Sequence, residues 1–261
     1  MELELLHERS NTAPPKGSLL LLHGACMGAW CWEDNFLPWF AQQGYDTYAM
    51  SLRNHANSMK KGSLTFRRIK EYVQDLRTVV DSLPGPVHVI GHSMGGFTLQ
   101  HFLASPSGNM GKAVLLCSAP PHGAWKLVGK LVKQHPLLFA KSNLLLSWKP
   151  IIVSKKNARE IMFRPDYPED KLDEALEKLQ DESFMAFLDM LFSYLPDPSK
   201  VHTPLMVVGA ENDYLIPIAD LQKTAKRYGV EPLVVKGASH NFFMESGWEP
   251  IAEKILAFLE S

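Results

Sequence analysis

The chain alternates between two hydrophobic rhythms. Short, nearly continuous apolar runs, such as Leu19-Leu20-Leu21-Leu22 and Leu205-Met206-Val207-Val208, read as strands buried on both faces. Between them lie stretches with apolar residues every three or four positions, which read as amphipathic helices. The clearest predicts a helix over 65–82, with Phe66, Ile69, Val73, Leu76, Val79 and Val80 on one stripe. The whole pattern predicts strands near 2–8, 18–22, 45–50, 87–91, 112–118, 204–209 and 232–236. Further helices are predicted near 33–43, 94–105, 218–228 and 250–260. Gly229 reads as a helix stop after Tyr228, and Pro250 as a first-turn proline. Strands alternating with helices signal an α/β fold: a mostly parallel central sheet with helices on both faces.

The alternation breaks between about 120 and 199. Pro120-Pro121-His122-Gly123 opens this stretch, Leu195-Pro196-Asp197-Pro198 closes it, and its interior patterning is helical, as in Leu172-Asp173-Glu174-Ala175-Leu176. The expected organisation is a core of residues 1–119 and 200–261, with 120–199 inserted as a helical cap.

Chemistry is concentrated where predicted strands end. Gly91-His92-Ser93-Met94-Gly95-Gly96 follows the apolar run Val87-His88-Val89-Ile90 and precedes a helix-like stretch. A strand that turns sharply into a helix lifts the residue at its apex into an exposed, strained position. A β-carbon at Gly91 or Gly95 would collide in so tight a turn. Ser93 is then the candidate nucleophile, and the Met94 N–H, at a helix N-terminus, can face a developing oxyanion. After the strand ending at Gly209 stands Asp213, with Glu211 as a competing carboxylate. After the strand ending at Lys236 stands His240, where a general base is expected. After Leu22 comes His23-Gly24-Ala25-Cys26-Met27-Gly28; its loop supplies a second oxyanion N–H from Ala25, with Cys26 as the fallback. His23 reads as a structural residue that orients the loop.

With these motifs the chain resembles the α/β-hydrolase superfamily over nearly its whole length. The stretch from His23 to Trp32 is similar to that of plant methylesterases and hydroxynitrile lyases, with Met27 in place of a second histidine. Ser51-Leu52-Arg53-Asn54-His55-Ala56-Asn57-Ser58 resembles the superfamily's D-x-R-G-H-G-x-S loop and departs from it at Ser51, Asn54 and Ala56. The resemblance places the cap between the sixth and seventh strands. It implies acyl transfer to water. His240 takes the Ser93 proton and returns it to the leaving alcohol, and Asp213 orients the imidazole. A histidine base implies activity that rises between about pH 6 and 8. Haloalkane dehalogenases and epoxide hydrolases place Asp where Ser93 stands. Plant-type hydroxynitrile lyases carry Thr where this chain has Gly24, and Lys where it has Asn241. Thioesterase, lactonase, perhydrolase and carbon–carbon hydrolase activities share the same triad and stay open, as does a ligand receptor with little turnover.

Composition narrows the partners. A formal net charge of −1 gives no general electrostatic case for nucleic acid. No apolar run is long enough for an integral membrane segment, and the first residues lack a signal-peptide core. Three cysteines without framework spacing fit a reducing, cytoplasmic setting. No metal or organic cofactor is implied, because H-E-x-x-H, paired C-x-x-C and phosphate-loop patterns are missing from the sequence. The cap is rich in large apolar residues, which favours a small-molecule ester with an apolar acyl or alkyl part. Trp30, Phe97, Trp125, Trp148, Phe187 and Phe242 are the candidates to line its pocket. Lys126, Lys130, Lys133, Lys155, Lys156 and Arg159 cluster in the cap. Such a run is ordinarily a solvated face and alternatively attracts anionic lipids or acyl carriers. A monomer or homodimer is expected.

Overall fold

The computed structural model describes residues 2–152 and 154–261. Its strands are β1 (Leu5–Glu8), β2 (Ser18–Leu22), β3 (Asp46–Met50), β4 (Val87–His92), β5 (Met110–Leu116), β6 (Leu205–Ala210) and β7 (Pro232–Val235). They form one sheet in the order β1-β3-β2-β4-β5-β6-β7. Only the edge pair β1–β3 is antiparallel; the other pairs are parallel. The four leucines of β2 show why the runs are continuous. Leu20 and Leu22 enter the core on one face, Leu19 and Leu21 the core on the other.

Around the sheet lie α1 (Phe36–Gln42), α2 (Ile69–Ser82), α3 (Met94–Leu103), α4 (Trp125–Gln134), α5 (Pro136–Leu145), α6 (Lys149–Ile152), α7 (Lys155–Met162), α8 (Glu169–Lys178), α9 (Phe184–Leu188), α10 (Ile218–Tyr228) and α11 (Glu249–Glu260). Helices α2, α3 and α10 pack on one face; α1 and α11 cover the other. Gly229 ends α10 in the left-handed region, at φ 68°, and Pro250 sits in the first turn of α11.

Two expectations need correction. The 65–82 helix starts only at Ile69: Leu64–Phe66 is a separate short turn, and Arg68 is extended. The Glu71 carboxylate accepts the Arg68 N–H at 3.0 Å and fixes that start. Phe66 therefore falls off the buried stripe and is 64% exposed. Helices α4 to α9 lie between β5 and β6, the fifth and sixth strands, rather than between the sixth and seventh. The apolar runs of the sequence give the same count, five strands before residue 120 and two after residue 199. These helices have their own apolar core around Trp148, Ile151, Ile161, Phe163 and Leu172.

Candidate active site

Ser93 occupies the turn between β4 and α3 with φ 51° and ψ −115°, a region that a residue with a Cβ rarely adopts. Such strain costs about 1–3 kcal/mol and persists only where the surroundings hold it. Here the Ser93 N–H donates to Leu116 O at 3.0 Å, and Ser93 O accepts from Phe97 N at 3.0 Å and Ala119 N at 3.2 Å. The glycines that follow are steric necessities. A Cβ on Gly95 would lie 2.4 Å from His23 O, and one on Gly91 would lie 2.8 Å from Gly95 O.

The strand ends bring the other candidates to the same place, outside the carboxyl ends of a parallel sheet. His240 donates from Nδ1 to Asp213 Oδ2 at 2.8 Å, and both side chains are buried. Asp213 Oδ1 is fixed by the N–H groups of Leu215 and Ile216, at 2.8 and 2.9 Å. Glu211 is exposed and accepts from the Gly237 N–H at 2.8 Å, so it does not reach His240. Cys117, at the end of β5, places its sulfur beside Asp213 and His240, with the three side-chain polar atoms within 4.8 Å of one another. Burial pushes the Cys117 thiol well up, so it stays protonated and can donate to Asp213.

In the loop after β2, Gly24 packs against the elbow. A Cβ there would lie 2.6 Å from His92 Nδ1 and 3.0 Å from Ser93 Cβ. The site as built therefore rejects the threonine that plant-type cyanohydrin cleavage uses at this position. Met94 is the first residue of α3, so its N–H has no intrahelical acceptor. The Cys26 N–H is already taken by Glu182 Oε2 at 3.1 Å. The Cys26 N–H, the fallback, is thus engaged elsewhere, while Ala25 lines the cavity. His23 holds the loop from beneath: its Nδ1 pairs with Gly24 O at 2.7 Å, and its Nε2 accepts from Leu52 N at 3.1 Å.

Ser93 and His240 share one cavity whose walls are otherwise almost wholly apolar. Leu127 and Leu131 of α4, Trp148, Ile151 and Ile152, Ile161 and Met162 of α7, and Phe187 of α9 close it from the cap side. Of the six aromatic candidates, Trp148 and Phe187 line this space, their ring centroids 3.9 Å apart. The other four do not, and each has a physical reason. Phe97 lies on the face of α3 that packs into the core toward α2. Phe242 is turned into the opposite core beneath the sheet. Trp30 lies outside the cavity, beside the Lys178 ammonium. Trp125 is 53% exposed and stacks on Phe192 at the surface.

The profile of the alpha/beta hydrolase family matches residues 19–254. The chain belongs to the alpha/beta hydrolase family. Among curated relatives of this hydrolase, the monoacylglycerol lipase of Mycolicibacterium smegmatis is 27% identical over 259 residues, covering 95% of this chain and 89% of that one. Methylesterase 3 of Arabidopsis thaliana is 33% identical over 86 residues, so the match spans 32% of either chain. Among solved structures, an esterase from Exiguobacterium antarcticum superposes with a TM-score of 0.76 at 16% identity, covering 99% of this chain and 96% of that one. That likeness speaks for the fold.

The chain departs from the resembling loop at Ser51, Asn54 and Ala56, the last two standing where that loop has glycine. Asn54 and Ala56 stand at φ 66° and 42°, the left-handed region that favours glycine. Ser51 Oγ accepts the Ala29 N–H at 2.8 Å and donates to the Glu4 carboxylate, so a carboxylate from the N-terminal segment buttresses this serine. Ala56→Gly is expected to raise stability by about 1 kcal/mol, since strain relief outweighs the added unfolded-state freedom. Urea unfolding midpoints measure this, and an unchanged or lower midpoint would contradict it.

Sequence reading did not find Glu182. It lies in the segment between α8 and α9 and is 2% exposed. Its carboxylate accepts from His55 Nε2 at 2.9 Å, Tyr72 OH at 3.1 Å and Ser183 N at 2.7 Å, besides Cys26 N. Neighbouring Gln180 adds an N–H to Cys26 O at 3.0 Å and side-chain bonds to Ala56 N and Asn54 O. The segment 180–183 thus staples the cap side to both loops behind the cavity. No local pattern signals this; an acidic pair after an amphipathic helix ordinarily means a solvated end.

Buried histidines set a pH dependence of stability. Burial, with the charge of His55 nearby, lowers His23 from 6.5 to about 3. Burial and His240 lower His92 well below 6.5. Both stay neutral in the folded chain while the unfolded chain takes up protons below about pH 6.5. Between about pH 7 and pH 5 each removes about 2 kcal/mol of stability. His55 acts in the opposite sense. Burial alone would lower it, but the Glu182 charge and hydrogen bond raise it, so its contribution is full below the unfolded value and lost as pH rises through the folded one. Glu182 is held low by His55 against the effect of burial, and its contribution is lost only as pH falls through its folded value. The neutral pair outweighs His55, and the urea midpoint is expected to fall from about pH 7 to 5. An equal midpoint at both would contradict this account.

Proposed function

We propose that the chain hydrolyses carboxylic esters with an apolar acyl or alkyl part, through Ser93, His240 and Asp213. The observation that carries the reading is the shared cavity. Ser93 and His240 meet in one apolar space, while Asp213 engages the far ring nitrogen of His240. In this mechanism Ser93 Oγ attacks the carbonyl carbon as His240 Nε2 takes its proton. The Ala25 and Met94 N–H groups hold the oxyanion, each worth roughly 10²–10³ in rate. Collapse expels the alkoxide, which receives the proton from His240, and leaves an acyl-serine. Water, deprotonated by His240, then releases the acid and restores Ser93. Asp213 stabilises the imidazolium in both halves.

Residues 120–199 serve as a cap over this space, with Trp148 and Phe187 against the acyl group. The cavity volume is about 110 Å³, somewhat below the roughly 150 Å³ that takes one benzene ring. Short acyl groups such as butyryl fit the space as it stands. The Asn241 side-chain amide, beside His240, has neither of its polar atoms paired. A hydrogen-bonding group close to the ester would satisfy it. The buried free thiols of Cys26, Cys31 and Cys117 suit a reducing compartment.

The test is an acyl series of p-nitrophenyl esters. Turnover that peaks at short acyl groups is expected. No turnover at any length would remove the ester reading.

A further inference from the structure

The outer face of the α4–α5 hairpin is at odds with a surface meant only for water. Helix α5 is apolar nearly all round, a pattern ordinarily buried on every side. Leu138 and Phe139 do pack inward against the cap core. Leu137 and Leu144, two turns apart on α5, are each 84% exposed, and Leu145 next to Leu144 and Val132 on α4 are also exposed. Isolated exposed leucines are common, but a contiguous apolar face on one hairpin marks a contact surface.

Charge identifies the partner. From residue 82 to residue 159 the chain contains neither Asp nor Glu. The hairpin itself carries Lys126, Lys130, Lys133 and Lys141. Lys126 pairs with Asp220 at 2.7 Å and Lys130 donates to Tyr214 O at 3.2 Å. Lys133 and Lys141 are exposed and have no acidic partner among the described residues. No described helix is long and apolar enough to cross a membrane, so the hairpin would lie on a bilayer and not span it.

We propose that the α4–α5 face docks this chain onto the surface of an anionic phospholipid bilayer. Leu137, Leu144 and Leu145 enter the acyl boundary, and Lys133 and Lys141 meet the headgroup charge. A second copy of the chain fits this face less well, because a two-fold contact would set one copy's lysines against the other's. Docking is placed to matter: Leu127 and Leu131, on the inner side of α4, are walls of the Ser93 cavity.

The test is co-sedimentation of the full chain with vesicles of phosphatidylcholine mixed with phosphatidylglycerol, and with vesicles of phosphatidylcholine alone. Binding to the mixed vesicles, weakened by salt, is expected. Lys133→Ala with Lys141→Ala should lower the partition coefficient about tenfold or more. Leu137→Glu with Leu144→Glu should abolish binding and leave turnover of a soluble short-chain ester unchanged. Equal binding to both vesicle types, or none, would overturn the proposal. So would a dimer in light scattering that the leucine variant dissolves. Vesicle binding is read without any substrate, so failure of the ester reading would not be mistaken for failure of this one.

Discussion

Replacing Ser93 by alanine is expected to lower kcat for a short p-nitrophenyl ester by roughly 10⁴–10⁶-fold, with KM little changed. The loss is large because serine, histidine and aspartate act as a unit. Without the nucleophile, oxyanion stabilisation and substrate binding give only residual catalysis. The variant should fold, since alanine keeps the Cβ and the three backbone hydrogen bonds that hold φ at 51°. Ser93→Gly separates chemistry from strain. It should be equally inactive and more stable by about 1 kcal/mol, because glycine enters that region freely. Retained turnover in either variant would dismiss Ser93 as the nucleophile.

Glu182→Ala is expected to cost about 3–5 kcal/mol of stability, among the largest single effects in the molecule. The carboxylate is shared by four donors from four places in the chain: Cys26, His55, Tyr72 and Ser183. Truncation leaves His55 buried without its counter-charge and leaves buried donors unsatisfied. Glu182→Gln keeps the shape and a carbonyl oxygen, so it should lose less. In the proposed mechanism Ala25, one residue before Cys26, supplies an oxyanion N–H, so kcat should fall in both variants, more steeply in alanine. Urea unfolding alongside steady-state kinetics reads both effects. An unfolding midpoint for the alanine variant equal to wild type would show that the network carries no net stability.

The contrast between these two residues shows what a sequence exposes. Ser93 announces itself because its constraint is local: a strand, two glycines forbidden a Cβ and a helix start all fall within ten residues. Asp213 and His240 are legible for a related reason, since each follows an apolar strand by a few residues. Glu182 answers to partners as much as 156 residues away, and nothing around it in the chain reflects them. The aromatic candidates failed in an instructive way. Phe97 and Phe242 are close to motif residues along the chain, but side-chain direction follows the helix or turn they sit on, and both point into core. Trp148 and Phe187, far from any motif, reach the cavity because the cap folds back over it. The helix start at Ile69 was blurred because Phe66 continues the apolar period, while the capping contact of Glu71 decides the boundary.

Cys26 has a use that its chemistry alone would not suggest. Its sulfur is in the cavity wall, 4% exposed, and burial together with the Glu182 charge pushes its thiol well above 9. A thiol so placed reacts with a soluble reagent only while the space around it is open to water. Its rate of reaction with a soluble thiol reagent is therefore an intrinsic clock for any opening of the space that residues 120–199 cover, readable on the wild-type chain without an engineered probe or a substrate. Cys117, fully buried at the end of β5, keeps a second and slower time, that of global unfolding.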